Sequence, residues 1–349
     1  VERSRGLGDV YKRQFLWSCS NDDSPEAYQN IPIDFKVPSN FPALSYNLQN
    51  NPLTEKGFEL GKKLFYDGRL ASDGLVSCGF CHIQEDAFTH HGHSFSHGVG
   101  DNIGTRNAPP IQNLAFQRAY MWDGATTHLD LQPLIPLTSE IEMNGNLAEI
   151  VSMMKGDATY QKLFRQAFPD GMINSENMLK ALGQFMVMLT SSNSKFDKFR
   201  RGEPGGALNA DEQEGYTLFT QKCAGCHATD LFTDDTYRNN GLPINPMIND
   251  VGRYRVTELP QDNYKFKVPS LRNIEKTAPY MHDGRFSTLE AVLNHYSNGV
   301  LDSPTLDPAL KANGALGIPL TANEKTKLVA FLKTLTDHEF LTDRRFSEF

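Results

Sequence analysis

Two short runs of the sequence place cysteines and a histidine at the same spacing. They read C-x-x-C-H, once at 78–82 and once at 223–227. In this motif two thiols attach a haem covalently and the adjacent histidine ligates its iron. Disulfides or zinc are alternative uses of paired cysteines, although zinc would need further ligands at ribbon spacing. We therefore predict two haem c groups, held by the cysteines and histidines of both motifs: Cys78, Cys81, His82, Cys223, Cys226 and His227.

The chain also repeats itself around these motifs. GKKLF precedes the first motif and GYTLF precedes the second, both of the form G-x-x-L-F. Downstream, PPIQNLAFQRAYMWDG (109–124) aligns without a gap with PSLRNIEKTAPYMHDG (269–284), and both blocks end in Tyr-Met-x-Asp-Gly. We infer a tandem duplication in which each half holds one haem.

Helical patterns close each half and would position the haem loops. SENMLKALGQFMVML (175–189) and TANEKTKLVAFLKTL (321–335) both place apolar residues on one face, and the segment 200–212 between them is rich in Gly and Pro. Strand patterns are scarce. We predict a mostly α fold of two tandem cytochrome c-like domains, residues 41–200 and 201–349, with long loops because a cofactor fills much of each core.

Length and composition agree with two globular domains. The chain has 349 residues, is 39% hydrophobic and carries a formal net charge of −8, with acidic and basic residues interspersed. This length is long for one core and suits two. No apolar run approaches a membrane span. The acidic balance disfavours nucleic acid and allows a basic protein partner.

The fifth cysteine, Cys19, lies in FLWSCSNDDSPE near the N-terminus. The residues before Cys19 are similar to a bacterial lipoprotein cleavage box, and a polar stretch follows; a free surface thiol is the alternative. Residues 1–14 lack the apolar segment of a signal peptide, so we leave them out of the fold as a non-native or truncated extension. We expect residues 1–40 to form a tether. Since bacteria attach haem c outside the cytoplasmic membrane, we predict a periplasmic protein whose only membrane contact is a lipid on Cys19.

Other motifs accompany the haem motifs in a fixed order. GTRNAPPIQN, MWDG, PLTSEIEMNG, KFKVPSLRN and APYMHDGRFSTLEAV together resemble the bacterial dihaem cytochrome c peroxidase family, which includes the MauG-type methylamine-utilisation enzymes. The resemblance covers roughly residues 50–340. It implies a peroxidatic haem in the first half, proximal ligand His82, and an electron-receiving haem in the second, proximal ligand His227. It also implies hydrogen peroxide as substrate, a small cytochrome c or cupredoxin as electron donor, and a homodimer as one possible assembly.

The resemblance assigns three catalytic candidates. Gln132 and Glu142 stand where the family keeps a catalytic Gln and Glu, and Trp122 resembles the tryptophan that relays electrons between the haems. A carboxylate over haem can move a proton between the peroxide oxygens, so that the leaving group departs as water. The alternatives are a solvated loop carboxylate for Glu142 and a core anchor for Trp122. Met121 departs from the family, where an aromatic residue is common.

Two further sites follow from the resemblance. His97, in SFSHG, matches a loop histidine that caps the first iron at rest, although a surface His-rich loop is equally compatible with HHGHSFSHG. Asn107 and the main-chain carbonyls of Lys267 and Pro269 match a calcium site between the domains. Hard oxygen ligands from both halves suit Ca²⁺ and would fix the distance between the haems.

The sixth ligand of the second haem is predicted to be Tyr296. It lies fourteen residues after His282, on STLEAVLNHYSNG, where the peroxidases have a methionine and the MauG-type enzymes a tyrosine. A phenolate stabilises ferric iron, whereas a thioether raises the potential. The rival ligands are His295, Met281 and Met247, and a buried tyrosine bonded to a haem propionate is a further alternative.

Three functions are compatible with the sequence. The first is a peroxidase that reduces hydrogen peroxide with electrons from a small redox protein. The second is a MauG-type enzyme that oxidises residues of a partner protein, and the third is a dihaem cytochrome that only transfers electrons. Gln132 and Glu142 argue against the third, because electron transfer alone needs no proton-handling groups over iron.

Overall fold

The computed structural model describes residues 27–90 and 92–348, which are mostly helical. Cys19 and the first 26 residues of the predicted tether lie outside the described residues. In the part described, the sheet is a single antiparallel pair, β1 Tyr237–Arg238 and β2 Phe266–Lys267. No described helix is long and apolar enough to cross a membrane. The prediction of a mostly α fold with little sheet is confirmed.

The helices divide at the predicted junction into two groups. The first group is α1 Glu55–Phe65, α2 Cys78–Cys81, α3 Leu134–Thr138, α4 Leu147–Gly156, α5 Ala158–Ala167, α6 Ser175–Met188 and α7 Lys195–Arg201. The second group is α8 Ala210–Lys222, α9 Tyr254–Thr257, α10 Leu289–Asn294, α11 Ala322–Lys333 and α12 His338–Thr342. A π-helical turn, His295–Gly299, continues α10.

The same helix pair forms the frame of each half. In the first half α1 packs on α6, and in the second α8 packs on α11. The glycine of each G-x-x-L-F run lies at the crossing, because a Cβ at Gly61 would overlap the carbonyl of Ala181, and one at Gly215 that of Lys327. The repeated glycine thus marks a close helix approach that larger side chains would prevent.

The repeated block has the same conformation in both halves. Asn113 and Asn273 both adopt left-handed backbone angles, with φ of 58° and 56°. Their main-chain N–H groups donate to the ends of the closing helices, Asn113 to Leu189 O at 2.8 Å and Asn273 to Leu335 O at 3.1 Å. The tandem duplication inferred from sequence is therefore visible in the backbone.

Two segments pack across the predicted domain boundaries. Phe196 of α7 precedes residue 200 but lies in the core of the second half. Phe340 and Phe346 belong to the last segment of the chain but lie in the core of the first half. Apolar periodicity shows that a segment is buried but not which core it packs against. The domain boundaries drawn from sequence therefore do not include these two exchanges of segments between the halves.

The last helix also reaches the first haem loop. Gln84, two residues after His82, is buried and donates from Nε2 to Phe340 O at 3.1 Å and to Asp343 O at 2.9 Å. At the other end of the chain, residues 27–40 run along the first half, where Ile33 N donates to Leu53 O at 3.0 Å. Both ends of the described chain therefore brace the first half.

Candidate active site

Each C-x-x-C-H histidine is held by a carbonyl of the loop that follows it. His82 Nδ1 lies 2.7 Å from Phe88 O, and His227 Nδ1 lies 3.0 Å from Phe232 O. A carbonyl can only accept, so Nδ1 carries the proton and Nε2 is left for a metal ion. This second hydrogen bond fixes tautomer and ring orientation, as is usual for metal-ligating histidines. Both attachment loops are thus pre-formed to ligate iron.

The other uses of these cysteines find no support in the described residues. Cys78, Cys81, Cys223 and Cys226 are free thiols. Across residues 27–90 and 92–348, no group of three or more His, Cys, Asp and Glu side chains is arranged to hold a metal ion. Neither a disulfide pair nor a four-ligand zinc site is therefore present there.

A cavity of about 240 Å³ adjoins the second attachment loop. Cys223, Cys226 and His227 line it together with mainly apolar side chains. Arg238 lines the same cavity: its terminal nitrogens bind Asp234 at 2.6 Å and Asp307 at 2.8 Å, while its Nε is buried without a partner. A buried donor without an acceptor costs free energy, and an anionic group in this cavity would complete its bonding. The lining fits a haem with its carboxylates.

A smaller cavity of about 50 Å³ lies at the first repeated block, and none of Cys78, Cys81 and His82 lines it. Its lining comes largely from the first repeated block, with Met121, Trp122 and Gln132, and it includes Lys267 from the second half. The Lys267 ammonium is buried and bonds to Gln117 Oε1, with Asp235 Oδ1 at 3.4 Å. The second half thus contributes a lysine side chain to the wall of this cavity, and burial lowers the pKa of its amine.

Glu142 is half-buried rather than solvated. Burial raises the pKa of its carboxyl. Glu142 is hydrogen-bonded to Val99, two residues after His97, whose carbonyl lies 3.9 Å from Cys81 Sγ. Its main-chain oxygen accepts from Val99 N at 2.7 Å, and only glycine fits at Gly98, because a Cβ there would overlap Ile141 O. The structure therefore places a protonatable carboxyl beside the first haem loop.

Gln132 follows the short turn 129–131, and its Nε2 lies 3.7 Å from Met121 Sδ. The turn is anchored by Asp130, whose Oδ1 accepts from Tyr46 at 2.7 Å and from Asn51 at 3.4 Å. Burial raises the pKa of Asp130. Gln132, Met121 and Trp122 share one cavity, whereas Glu142 is not among the residues that line it.

Trp122 lies between the two halves and lines both cavities. Its Nε1 donates to Asn107 O at 2.8 Å, and its own carbonyl accepts from Lys267 N at 2.7 Å. The equivalent bond of the repeat runs the other way, from Asn107 N to His282 O at 2.7 Å. The halves therefore exchange matching hydrogen bonds at the residue predicted to relay electrons.

The three predicted calcium ligands all line the second cavity near Trp122. Asn107 is buried, and its Nδ2 donates to Ser94 O at 3.2 Å, which orients its amide. Burial lowers the pKa of His227, and the carbonyls of Phe232 and Pro269 partly offset this. The Pro269 carbonyl therefore faces His227 as well as the junction.

His97 lies against the first attachment loop. Its carbonyl is 3.9 Å from Cys81 Sγ, and its backbone pairs with Ile103. Its ring centre lies 4.8 Å from that of His93, which lies 3.7 Å from that of His90. The predicted resting ligand is therefore near the first haem loop, inside a cluster of imidazoles.

Tyr296 lines the second cavity from the π-helical turn. Burial raises its pKa to about 12, the Asn240 side chain hydrogen-bonds to it, and the Cys226 and Cys223 thiols are close enough to raise its pKa further. π-Helical turns inside helices are frequent at functional sites. The turn thus places Tyr296 in the lining of the second cavity, and its role as the sixth ligand stays a prediction.

Asn240 also makes hydrogen bonds with two of the three rival ligands, His295 and Met281. His295 Nε2 lies 3.0 Å from the Asn240 carbonyl, and Met281 Sδ lies 3.4 Å from Asn240 Nδ2. Met247 is 90% exposed and does not line the cavity. Asn240 and Arg238 were not among the residues predicted from sequence. Both lie in TYRNNG (236–241), shortly after the second haem motif, and this run of polar residues is the signal that could have indicated them.

Comparison with known proteins gives a consistent result over both halves. A sequence profile described as di-haem cytochrome c peroxidase matches residues 55–205. The chain is 36% identical over 323 residues to the methylamine utilization protein MauG of Methylorubrum extorquens, covering 91% of this chain and 88% of that protein. It is 32% identical over 343 residues to the cytochrome c peroxidase Ccp of Escherichia coli, covering 96% of this chain and 67% of that protein.

A solved structure gives the same picture. The crystal structure of a MauG-like protein associated with microbial copper homeostasis superposes on this chain with a TM-score of 0.81 at 36% identity. The match covers 90% of this chain and 99% of that one. The arrangement of two haem-binding halves is thus shared along almost the whole chain.

Proposed function

Because this chain belongs to the dihaem cytochrome c peroxidase family, we propose that it reduces hydrogen peroxide with the residues grouped around its two attachment loops. The chain is an oxidoreductase of the peroxidase class with two haem c groups, and a cytochrome-type donor supplies its electrons. The observation that carries the assignment of residues is that the half-buried Glu142 is hydrogen-bonded, through Val99, to the segment that contacts Cys81.

Glu142 acts as the proton-transfer residue in this proposal. Bound haem supplies the iron to which peroxide binds and the redox chemistry of both halves. The Glu142 carboxylate takes a proton from the near peroxide oxygen and returns it to the far one, so that water leaves. Gln132, held by the anchored turn 129–131, donates an amide N–H to orient the peroxide. His82 and His227 are the proximal ligands, oriented through Nδ1.

Trp122 relays electrons between the halves. Its position along both cavities and its hydrogen bonds to residues of each half support this role. Asn107 with the carbonyls of Lys267 and Pro269 holds Ca²⁺ at the junction, where hard oxygen ligands would fix the distance between the halves. His97 is the resting-state ligand of the first iron. The donor is a small cytochrome c or cupredoxin, and the protein works in the periplasm, lipid-anchored if Cys19 is acylated.

A second function, oxidation of residues in a partner protein by MauG-type chemistry, has one specific observation in its favour. Tyr296 faces the second cavity beside Asn240, Cys223 and Cys226, and a tyrosine ligand would hold the second iron ferric. Simple electron transfer is less well supported, since it gives no role to a buried carboxyl at the first haem loop.

The test is peroxide turnover with a reduced cytochrome c as donor. A peroxidase consumes two reduced cytochromes for each peroxide, because reduction to water takes two electrons. We expect this ratio, with both haems present by pyridine haemochrome assay. Peroxide-dependent oxidation of a partner protein without cytochrome turnover would instead favour the MauG-type function.

A further inference from the structure

Tyr237 packs against the turn that carries Trp122. On β1 it lies opposite Lys267, whose N–H donates to Trp122 O at 2.7 Å. Its hydroxyl faces Gly124 so closely that a Cβ at Gly124 would overlap the phenol oxygen. Trp122 and Gly124 are two residues apart, so their Cα atoms are separated by at most about 7.6 Å. The phenol therefore lies against the turn that carries Trp122.

The ring of Tyr237 is also clamped in place. The guanidinium of Arg253 lies 3.9 Å from the ring centre, and its Nη1 donates to Asp123 O at 2.7 Å. Tyr237 is half-buried, and burial raises its pKa, so the phenol keeps its proton at neutral pH. Part of the surface of Tyr237 is exposed to water, and water can accept the proton that a phenol releases when it is oxidised.

Tyr120 lies two residues before Trp122 in the chain but lacks the geometry of Tyr237. Its side chain is 4% exposed, and its hydroxyl donates to the carbonyls of Leu114 and Gln117. Carbonyls of the backbone cannot carry a proton away, so oxidation of Tyr120 would leave a charge in the core. Of these two tyrosines, Tyr237 is therefore the one that both contacts the turn of Trp122 and has surface exposed to solvent.

We propose that Tyr237 is a redox-active residue that passes electrons from small one-electron reductants at the protein surface to Trp122. The inference rests on the proposed function, in which peroxide withdraws an electron from Trp122. One electron then moves from the Tyr237 phenol to the oxidised indole, the O–H bond breaks, and the proton goes to water. The product is a neutral tyrosyl radical. A reductant such as ascorbate, with a proton from water, restores the phenol.

The experiment uses the diferric holoprotein with both haems attached. It is mixed with one equivalent of hydrogen peroxide, frozen within milliseconds, and measured by electron paramagnetic resonance with ring-deuterated tyrosine. A spin trap followed by peptide mass spectrometry locates the radical. The variants are Tyr237→Phe, which keeps the ring over which Arg253 lies, and Trp122→Phe. Tyr216→Phe is the matched control, because Tyr216 on α8 is also half-buried but packs against Phe331 of α11.

We expect a tyrosyl radical in the parent, trapped on the peptide that contains Tyr237. The signal should fall at least about tenfold in Tyr237→Phe and in Trp122→Phe, and persist in Tyr216→Phe. Ascorbate-dependent turnover should fall in Tyr237→Phe, while cytochrome-dependent turnover should not. An unchanged radical in Tyr237→Phe, a trap on another peptide, or no tyrosyl radical overturns the inference. If peroxide leaves the parent's haem spectrum unchanged, the proposed function fails as well, which separates the two outcomes.

Discussion

The two halves of this chain share their proximal sides and differ on their distal sides. In both, a glycine of G-x-x-L-F allows a close helix crossing, and a carbonyl fixes Nδ1 of the attachment histidine. On the sides where the two haems are proposed to bind their other ligands, the first half has Gln132 in the smaller cavity and the half-buried Glu142 outside it. The second half has a π-helical turn that brings Tyr296 into the larger cavity. The duplicated frame is thus the same in both halves, and the loops that face it differ, which is the basis of the different roles proposed for the two haems.

Removal of the first proximal ligand should have the largest effect. Since His82 is fixed by Phe88 O to face the first iron, His82→Gly should abolish peroxide turnover and leave the second haem's spectrum unchanged. His227→Gly is the reciprocal variant and should perturb the second haem alone. If either variant alters the spectra of both haems equally, the two histidines do not serve separate haems. A content of one haem per parent chain by pyridine haemochrome assay would contradict the same statement.

Loss of the proton-transfer group should come next. Glu142→Gln keeps the shape but not the base, so kcat/KM for peroxide should fall about 10²–10⁴-fold with haem content unchanged. Glu140→Gln is the control, because Glu140 lies two residues away and is exposed. Activity of Glu142→Gln within a few-fold of the Glu140→Gln value would remove Glu142 from the mechanism.

The same carboxyl predicts a pH dependence. Burial raises the pKa of Glu142, so the base is lost at a higher pH than for an exposed carboxyl. Below that pKa, kcat/KM for peroxide should fall about tenfold per pH unit, since only the deprotonated form accepts a proton. The measurement is a stopped-flow pH profile, and an acid limb that persists in Glu142→Gln would assign the titration to another group.

A substitution of Tyr296 should change the spectrum of the second haem more than it changes the rate of peroxide turnover. Tyr296→Phe removes the phenol oxygen from the second cavity, which should alter the ferric second haem and raise its reduction potential. Tyr264→Phe, at a half-buried tyrosine that does not line this cavity, is the control. A near-infrared methionine-to-ferric band present in both the parent and Tyr296→Phe would show that Met281 is the ligand.

Substitutions at the helix crossings that both halves share should have the smallest effects, and these effects should be similar in the two halves. Gly61→Ala and Gly215→Ala each add a Cβ against a backbone carbonyl, and overpacking of this kind costs about 1–3 kcal/mol of unfolding free energy. Gly156→Ala, where the Cβ meets nothing within 4 Å, is the control. The measurement is thermal unfolding. Very different losses at Gly61 and Gly215 would contradict an equivalent frame.

The attachment residues, the duplication and the closing helices were predictable because each depends on a local pattern. The spacing of C-x-x-C-H and the gapless match of 109–124 with 269–284 need no knowledge of tertiary contacts. The positions of Phe196 and Phe340 in the opposite cores were not predictable, since an apolar pattern shows that a segment is buried but not which core it packs against. The buried Nε of Arg238 and the bonds of Asn240 depend on a loop whose path only the folded chain defines.

The contact between Gln84 and α12 has a consequence for the order in which the protein matures. The segment that secures the first haem loop is translated after the entire second half. The core of the first half includes Phe340 and Phe346, so this half cannot complete its packing before the segment 338–348 has been made. A chain without this segment should therefore lose support at the first haem loop, while the α8–α11 pair of the second half keeps its contacts.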